Sequence, residues 1–411
     1  MTVIEFLDSS PVANIASTLL LCPDSVIFVG GDETAAEATI EVLKRLMALR
    51  CIDTELSFVR IDGGPHDIAN ALDALLTECD DAVFDVTGGS ETYLLALGIL
   101  TERYGERIRY HRFDATRGVL TEYVADKHTI RDMPLHLTVE ESIILCGGHV
   151  ESRADTLHLA SEGEEARSFL SDCIAMWEKC NENPKLWNSL TSVLAKLNND
   201  DDPSPTRVCA SHKLVLPALR NFNLKQAEFV ARMKELRELG LISSFFFGDE
   251  ITFRYKSESV KRCLTVAGQI LELATAASLA ALRDDAGRPL FCDVAVGVTI
   301  DWDSEAGDAF PTYNEIDVMA MRGATPNFIS CKNGVLDIDE LYKLWAVKTK
   351  FGTNESRAIL VTQDLSRQGT KASFIRARAE DMGIVITDEV NRKSADELQS
   401  EFKSLWEKIT V

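Results

Sequence analysis

The chain has 411 residues, 45% hydrophobic and 26% charged, ordinary proportions for globular domains with sizeable cores and enough length for two or three of them. Its net charge of −22, from 65 acidic and 43 basic residues, excludes a generally basic, sequence-indifferent nucleic-acid coat. It does not exclude a nuclease, because a metal site needs clustered carboxylates and a bound divalent ion reverses the local sign. The N-terminus, MTVIEFLDSS, has no basic region leading into an apolar stretch, and no run approaches the ~20 apolar residues of a membrane span. Ten cysteines are scattered without C-x-x-C or zinc-finger spacing. The expectation is a cytoplasmic chain with reduced, buried thiols and no membrane association.

In chain order, residues 1–150 alternate short apolar runs with helical periodicity. Ser25–Gly31 reads as a buried strand ending at glycines, and Glu33–Leu49 as a helix with Ala36, Ile40, Leu43, Leu46 and Met47 on one face. Leu56–Ile61, Ala82–Val86 and Arg107–His111 read as further strands, with helices over Ile68–Leu76 and through Tyr93, Leu94, Leu97 and Leu100. This alternation predicts an α/β domain with a parallel, doubly wound sheet, which binds ligands at the carboxyl ends of its strands.

Residues 151–264 form a middle region. Its first part is helical and polar, and Asn198–Pro205 is the clearest linker. An amphipathic helix over Leu224–Leu239 follows, then strand-like Phe245–Phe247 and Ile251–Tyr255 joined by Gly248-Asp249-Glu250, a winged-helix-like pattern. In an acidic chain such a module is favoured as a spacer or dimer element over a DNA reader. Residues 265–411 form a second α/β domain: a helix over Val266–Leu282, strands at Phe291–Ile300, Ile316–Met321 and Asn327–Lys332, a helix through Leu341, Leu344 and Trp345, and strands at Ala358–Thr362 and Gly383–Thr387.

The strongest chemical feature lies here. Glu315 and Asp317 share one face of a strand by its period of two, and Lys332 ends the next strand. Glu272 interrupts the apolar helix segment Ile270–Ala274, where a buried carboxylate needs a partner, and a divalent cation is a good one. Oxygen ligands suit Mg²⁺ or Mn²⁺, which would polarise a phosphodiester and acidify an attacking water, with a lysine offsetting transition-state charge. Singly, each residue reads as an ordinary strand end or solvated side chain; together they favour a metal nuclease.

At Gly268-Gln269-Ile270-Leu271-Glu272, Asn314–Val318 and Ile329-Ser330-Cys331-Lys332-Asn333 the sequence resembles the PD-(D/E)XK nucleases, and most closely the branch in which such a nuclease follows a CARF domain, the effectors of type III CRISPR defence. The resemblance implies Glu315, Asp317 and Lys332 as catalytic residues, and Glu272, Glu315, Asp317 and the Cys331 carbonyl as metal ligands. In the family the residue two before the lysine is acidic, whereas Ser330 stands here. That shifts the metal burden to the other carboxylates. Glu340 could supply a migrated one, with a solvated helix position slightly favoured, and Lys343 could contact scissile-strand phosphate under the same reservation.

A second motif, Asp85-Val86-Thr87-Gly88-Gly89-Ser90-Glu91, runs from a strand into a helix. Taken alone it reads equally as a phosphate-binding turn and as a tight turn with Ser90 as helix cap. It resembles the CARF signature T-G-G-T-K, with Ser90-Glu91 replacing Thr-Lys. That resemblance implies a cyclic oligoadenylate activator, cyclic tetra-adenylate first and cyclic hexa-adenylate second, held by a homodimer through Asp8, Ser9, Ser10, Pro11, Thr87, Gly88, Gly89, Ser90 and Glu91. His111, His136 and His149 are expected to be structural. Arg376 and Arg378 could face substrate phosphate or solvent.

The expectation is therefore an N-terminal Rossmann-like CARF domain, a small helical and winged-helix-like middle, and a C-terminal restriction-endonuclease-like α/β domain. Its function would be activator-gated cleavage of RNA, DNA or both. The rival is a ligand-regulated, DNA-binding transcription factor whose nuclease domain has degenerated at Ser330.

Overall fold

The computed structural model describes residues 1–79, 81–124, 127–153, 163–198, 206–266, 268–302, 313–333, 336–363 and 365–407. The expected linker at Asn198–Pro205 lies outside the described residues from position 199 onward. The chain divides into two compact units. One is Met1–Val150 with Asp301–Tyr313 and Gly323–Thr325; the other is Glu151–Ile300 with Asn314–Arg322 and Pro326–Val411.

The first unit runs β1 (Thr2–Phe6), α1 (Ala13–Leu21), β2 (Ser25–Gly30), α2 (Glu33–Arg50), β3 (Glu55–Arg60), α3 (Pro65–Glu78), β4 (Ala82–Asp85), α4 (Glu91–Tyr104), β5 (Arg109–Asp114), β6 (Val119–Val124), β7 (Lys127–Asp132) and α5 (Val139–Leu145). Its sheet has the order β3-β2-β1-β4-β5-β6-β7. The first five strands are parallel, and β6 and β7 are added antiparallel. The doubly wound sheet expected from the strand–helix alternation is present. The chain leaves β1 toward β2 and leaves β4 toward β5, so the direction of winding reverses between β1 and β4. Such a reversal opens a crevice at the carboxyl ends of the two strands, where this fold class binds ligands.

Local sequence explains the elements. Pro65 opens α3, and Ile68, Ala69, Leu72 and Leu75 then recur at helical spacing and are buried. Ile4, Phe6, Val29 and Phe84 fill the core beneath α3 and α4. Three strands went unread. β1 carries Glu5 in its apolar run, and β6 and β7 lack a clean apolar face, β7 being exposed throughout.

The second unit contains β8 (His149–Arg153), α6 (Glu164–Glu182), α7 (Pro184–Leu197), β9 (Arg207–Ser211), α8 (His212–Asn221), α9 (Gln226–Glu238), β10 (Ile242–Phe247), β11 (Glu250–Tyr255), α10 (Glu258–Thr265), α11 (Gln269–Ala281), β12 (Asp293–Asp301), β13 (Tyr313–Arg322), β14 (Thr325–Lys332), α12 (Asp339–Phe351), β15 (Ala358–Thr362), α13 (Thr370–Asp381), β16 (Ile384–Thr387) and α14 (Ala395–Glu407). A six-stranded sheet has the order β16-β15-β14-β13-β12-β8, and a separate antiparallel sheet the order β10-β11-β9. The order α7-β9-α8-α9-β10-β11, helix, strand, two helices and a hairpin, is that of a winged helix. Helices α6 and α7 are polar only on their outer faces. They bury Cys173, Met176, Trp177, Trp187, Leu190 and Leu194 in the core that also holds α11 and the sheet. Arg232 on α9 is paired with Glu182 and Glu235, so the module's basic side chains are partly neutralised from within the unit.

Candidate functional site

In the second unit, β13 and β14 are neighbouring strands joined by a two-residue turn, Gly323-Ala324. This places Asp317 beside the end of β14. Its Oδ2 accepts the Cys331 backbone N–H at 2.6 Å and the Ser330 hydroxyl at 3.0 Å. It also lies 3.3 Å from Lys332 Nζ. Lys332 Nζ in turn lies 3.1 Å from Glu340 Oε2 on α12, and Glu340 Oε1 accepts from Lys343 Nζ at 3.0 Å. The parallel partner of Lys332 on β15 is Thr362.

Helix α11 brings a further acid, Glu272. Cys331 Sγ contacts Thr275 Oγ1 at 3.6 Å, which fixes α11 against β14. Glu272, nearly one turn earlier, accepts from Gln269 Nε2 at 3.1 Å. Burial, then the charges of Asp317 and Glu315, push the Glu272 carboxyl up to about 7, with Lys332 pulling the other way. Burial pushes the Cys331 thiol well up, so the group at this position is a neutral thiol. Burial lowers the Lys332 ammonium, but Asp317 and Glu340 outweigh it and hold it protonated. Burial likewise raises Glu340, and the Lys343 and Lys332 contacts outweigh it, so Glu340 sits below the usual carboxylate range.

The residues singled out from the sequence, Glu272, Glu315, Asp317, Lys332, Glu340 and Lys343, thus belong to one electrostatic cluster. Glu315 is exposed at the start of β13. Among the described residues no three His, Cys, Asp or Glu groups are disposed to hold a metal ion together. The donors fit a hard cation in another way. Mg²⁺ is commonly held by one or two carboxylates, with waters and substrate phosphates completing its octahedron. A dication would also offset the burial and the neighbouring acids that push the Glu272 carboxyl up.

Sequence reading missed the use made of Ser330, whose hydroxyl orients Asp317. The signal was its register two residues before the lysine. Arg376 is paired with Asp388, and Arg378 with the Tyr342 hydroxyl at 2.8 Å and with Asp381 at 3.6 Å.

In the first unit the two candidate ligand loops follow β1 and β4, at the reversal of winding. Gly88 and Gly89 are required there. A Cβ on Gly88 would stand 2.5 Å from the Asp8 Cβ, and one on Gly89, at φ +96°, would stand 2.6 Å from the Phe6 Cβ. Asp8 Oδ2 accepts the Gly89 N–H at 2.8 Å and Oδ1 accepts the Ser10 N–H at 2.7 Å. Thr87 Oγ1 accepts the Phe113 N–H at 2.8 Å. Ser90 precedes α4 but its side chain makes no capping bond, and Ser9, Ser10, Pro11, Ser90 and Glu91 are exposed. His111 is buried and bonded, as a structural histidine should be. No helix among the described residues is long and apolar enough to cross a membrane.

Residues 258–403 match the family model described as the Card1-like endonuclease domain, so this part of the chain is similar to an endonuclease domain of that type. No curated protein matches the sequence. Solved structures similar to it include protein VC1899 from Vibrio cholerae, with 19% identity, a TM-score of 0.68 and 98% of each chain covered. Another is Can2 from Sulfobacillus thermosulfidooxidans in complex with cyclic tetra-adenylate, with 14% identity, a TM-score of 0.59 and 98% of each chain covered. At these identities the likeness is one of fold, and it extends over the whole chain.

Proposed function

We propose that the protein is a metal-dependent endonuclease of the PD-(D/E)XK type that acts in type III CRISPR defence and is switched on by a cyclic oligoadenylate bound to its N-terminal unit. The observation that carries the reading is the cluster of Asp317, Lys332 and Glu272 inside a domain of the Card1-like endonuclease type. Asp317 and Glu272, with water and substrate phosphate completing the shell and with Glu315 and the Cys331 carbonyl as further candidate ligands, would hold Mg²⁺ or Mn²⁺, which when bound polarises the scissile phosphate and acidifies water. Ser330 and the Cys331 N–H hold Asp317 in one orientation. Lys332, kept protonated, stands where it can offset charge that develops on phosphorus. Glu340 shares Lys332 with Asp317 and limits how far that ammonium can swing toward a phosphate.

Activation is read from the first unit. Its two loops meet at the carboxyl ends of β1 and β4, the ligand crevice of this fold class. They match the CARF signature at Thr87-Gly88-Gly89, and the similarly folded Can2 is a complex with cyclic tetra-adenylate. Leu94 and Leu95 are exposed on α4, next to the turn, and Ile130 is exposed on β7. Apolar exposure of this kind supports a homodimer whose two-fold axis matches a ring of four adenylates, with cyclic hexa-adenylate as the second candidate. The activator can open the nuclease only by binding the active arrangement better than the resting one.

The test is a cleavage assay with Mg²⁺ or Mn²⁺ on labelled RNA, single-stranded DNA and supercoiled plasmid, with and without cyclic tetra-adenylate, for the wild type and Asp317→Ala. Cleavage that needs both the activator and Asp317 is expected. Cleavage without activator refutes the gating, and no cleavage under any condition, with cyclic hexa-adenylate also tried, refutes the nuclease.

A further inference from the structure

Beneath the two loops lies a row of buried polar groups that nuclease chemistry does not use. Glu5 on β1 pairs in register with Asp85 on β4, and Asp85 with His111 on β5. The three residues therefore lie side by side across adjacent strands, on one face of the sheet. All are 2% exposed or less. Helix α1 contributes Ser17, fully buried, whose hydroxyl hydrogen-bonds Asp85 Oδ2 and lies 2.6 Å from His111 Nε2.

Both loops are tied to this row. Asp85 Oδ1 accepts the Thr87 N–H at 2.6 Å, which fixes the start of the glycine turn. The same carboxylate, through Ser17, grips α1. One turn earlier on α1, Asn14 accepts the Asp8 N–H at 2.9 Å and donates to the Asp8 carbonyl at 2.8 Å, which fixes the loop after β1. The Asp8 carboxylate then closes the ring on the Gly89 N–H. A buried polar network of this kind is costly unless fully satisfied, and an apolar row would fill the same space at less cost.

We propose that Asp85, with Ser17 and His111, is the positioning residue of the ligand crevice: it holds the loop after β1 and the loop after β4 in one mutual arrangement, so that the two respond to a ligand as a unit. This rests on the reading of that crevice as the activator site. Loops fixed in advance bind a ligand without first being ordered, so their loosening weakens binding and leaves the chemistry in the other unit unaltered.

Two measurements on the full-length chain test this. The first compares cleavage against cyclic tetra-adenylate concentration for wild type, Asp85→Asn and Ser17→Ala. Each variant is expected to need about tenfold more activator for half-maximal cleavage, the worth of one hydrogen bond to a charged group, with the rate at saturating activator within about twofold of wild type. The second is amide hydrogen exchange without ligand. Each variant is expected to speed exchange over residues 8–11 and over residues 87–91 together. A folded variant with unaltered half-saturation, or with faster exchange in one loop alone, overturns the proposal. So does a fall in maximal rate in step with a fall in melting temperature, the mark of a merely structural role. If the wild type ignores cyclic tetra-adenylate, the activator reading fails, and the exchange data still decide whether the two loops are coupled.

Discussion

Glu5 offers a test of the first unit that is independent of any ligand. Its carboxyl is 2% exposed, and among the described residues neither oxygen has a hydrogen-bond partner. Burial and then the neighbouring Asp85 raise its pKa well above the ordinary 4.5. Leaving a buried polar group unsatisfied costs about 1–3 kcal/mol. Glu5→Leu replaces it with an apolar side chain of similar size between Ile4 and Phe6, so the variant is expected to gain about that amount. At about 2–4 °C for each kcal/mol in a unit of this size, the melting temperature should rise by about 2–12 °C. The gain depends on pH. Because the folded-state pKa is raised, the wild-type contribution is fully present below the unfolded value of 4.5 and is lost as pH rises through the folded-state value. Thermal melts at about pH 5 and about pH 8 should therefore show the larger advantage of Glu5→Leu at the higher pH. A variant destabilised equally at both would refute the reasoning, because the carboxyl would then have a partner that it needs.

Three further outcomes concern the nuclease cluster. Asp317→Ala should reduce cleavage at least roughly a hundredfold with little change in melting temperature, as steady-state rates and a thermal melt would show. Ser330→Ala removes one of the Asp317 partners while the Cys331 N–H and Lys332 remain, so cleavage should fall about tenfold or less, and an unchanged rate would deprive Ser330 of its orienting role. Glu272 titrates at about 7, and its protonated form is a poor ligand, so cleavage at limiting Mg²⁺ should climb as pH rises through that value. Glu272→Gln should remove that limb, and a wild-type profile flat across neutrality would count against Glu272 as a ligand.

The fold was legible where periodicity and burial agree. Ala36, Leu43, Leu46 and Met47 mark α2, and the apolar run Ala358-Ile359-Leu360-Val361 marks an interior strand. It was illegible where a polar residue is buried for a tertiary reason. Glu5 looks like a break in a strand pattern, yet it is a core position, and its neighbour in register, Asp85, is far away in sequence. The same holds for the site. Glu315, Asp317 and Lys332 could be grouped from strand spacing, and Glu272 from its place in an apolar helix. The partnerships that orient them, Ser330 with Asp317 and Glu340 with Lys332, depend on how β13, β14 and α12 pack, which spacing alone does not encode.

Ser330 bears most directly on whether the domain is active. A carboxylate there would add a further negative charge to a cluster in which burial, and then its acidic neighbours, already push Glu272 toward its neutral form. The hydroxyl instead donates to Asp317, sharpening the orientation of one acid at no cost in charge. Degeneration would leave the cluster without cause to persist. Here Lys332 remains paired with Asp317, the Cys331 N–H still reaches the same oxygen, and a buried acid still stands on α11. Such an arrangement is expensive for a domain that no longer meets a cation, because a buried carboxyl such as that of Glu272 destabilises the fold unless a partner compensates it. The departure at Ser330 is therefore better understood as a change in how Asp317 is held than as the loss of the site, and a measured rate for Ser330→Ala below that of wild type is the result that the degenerate reading cannot accommodate.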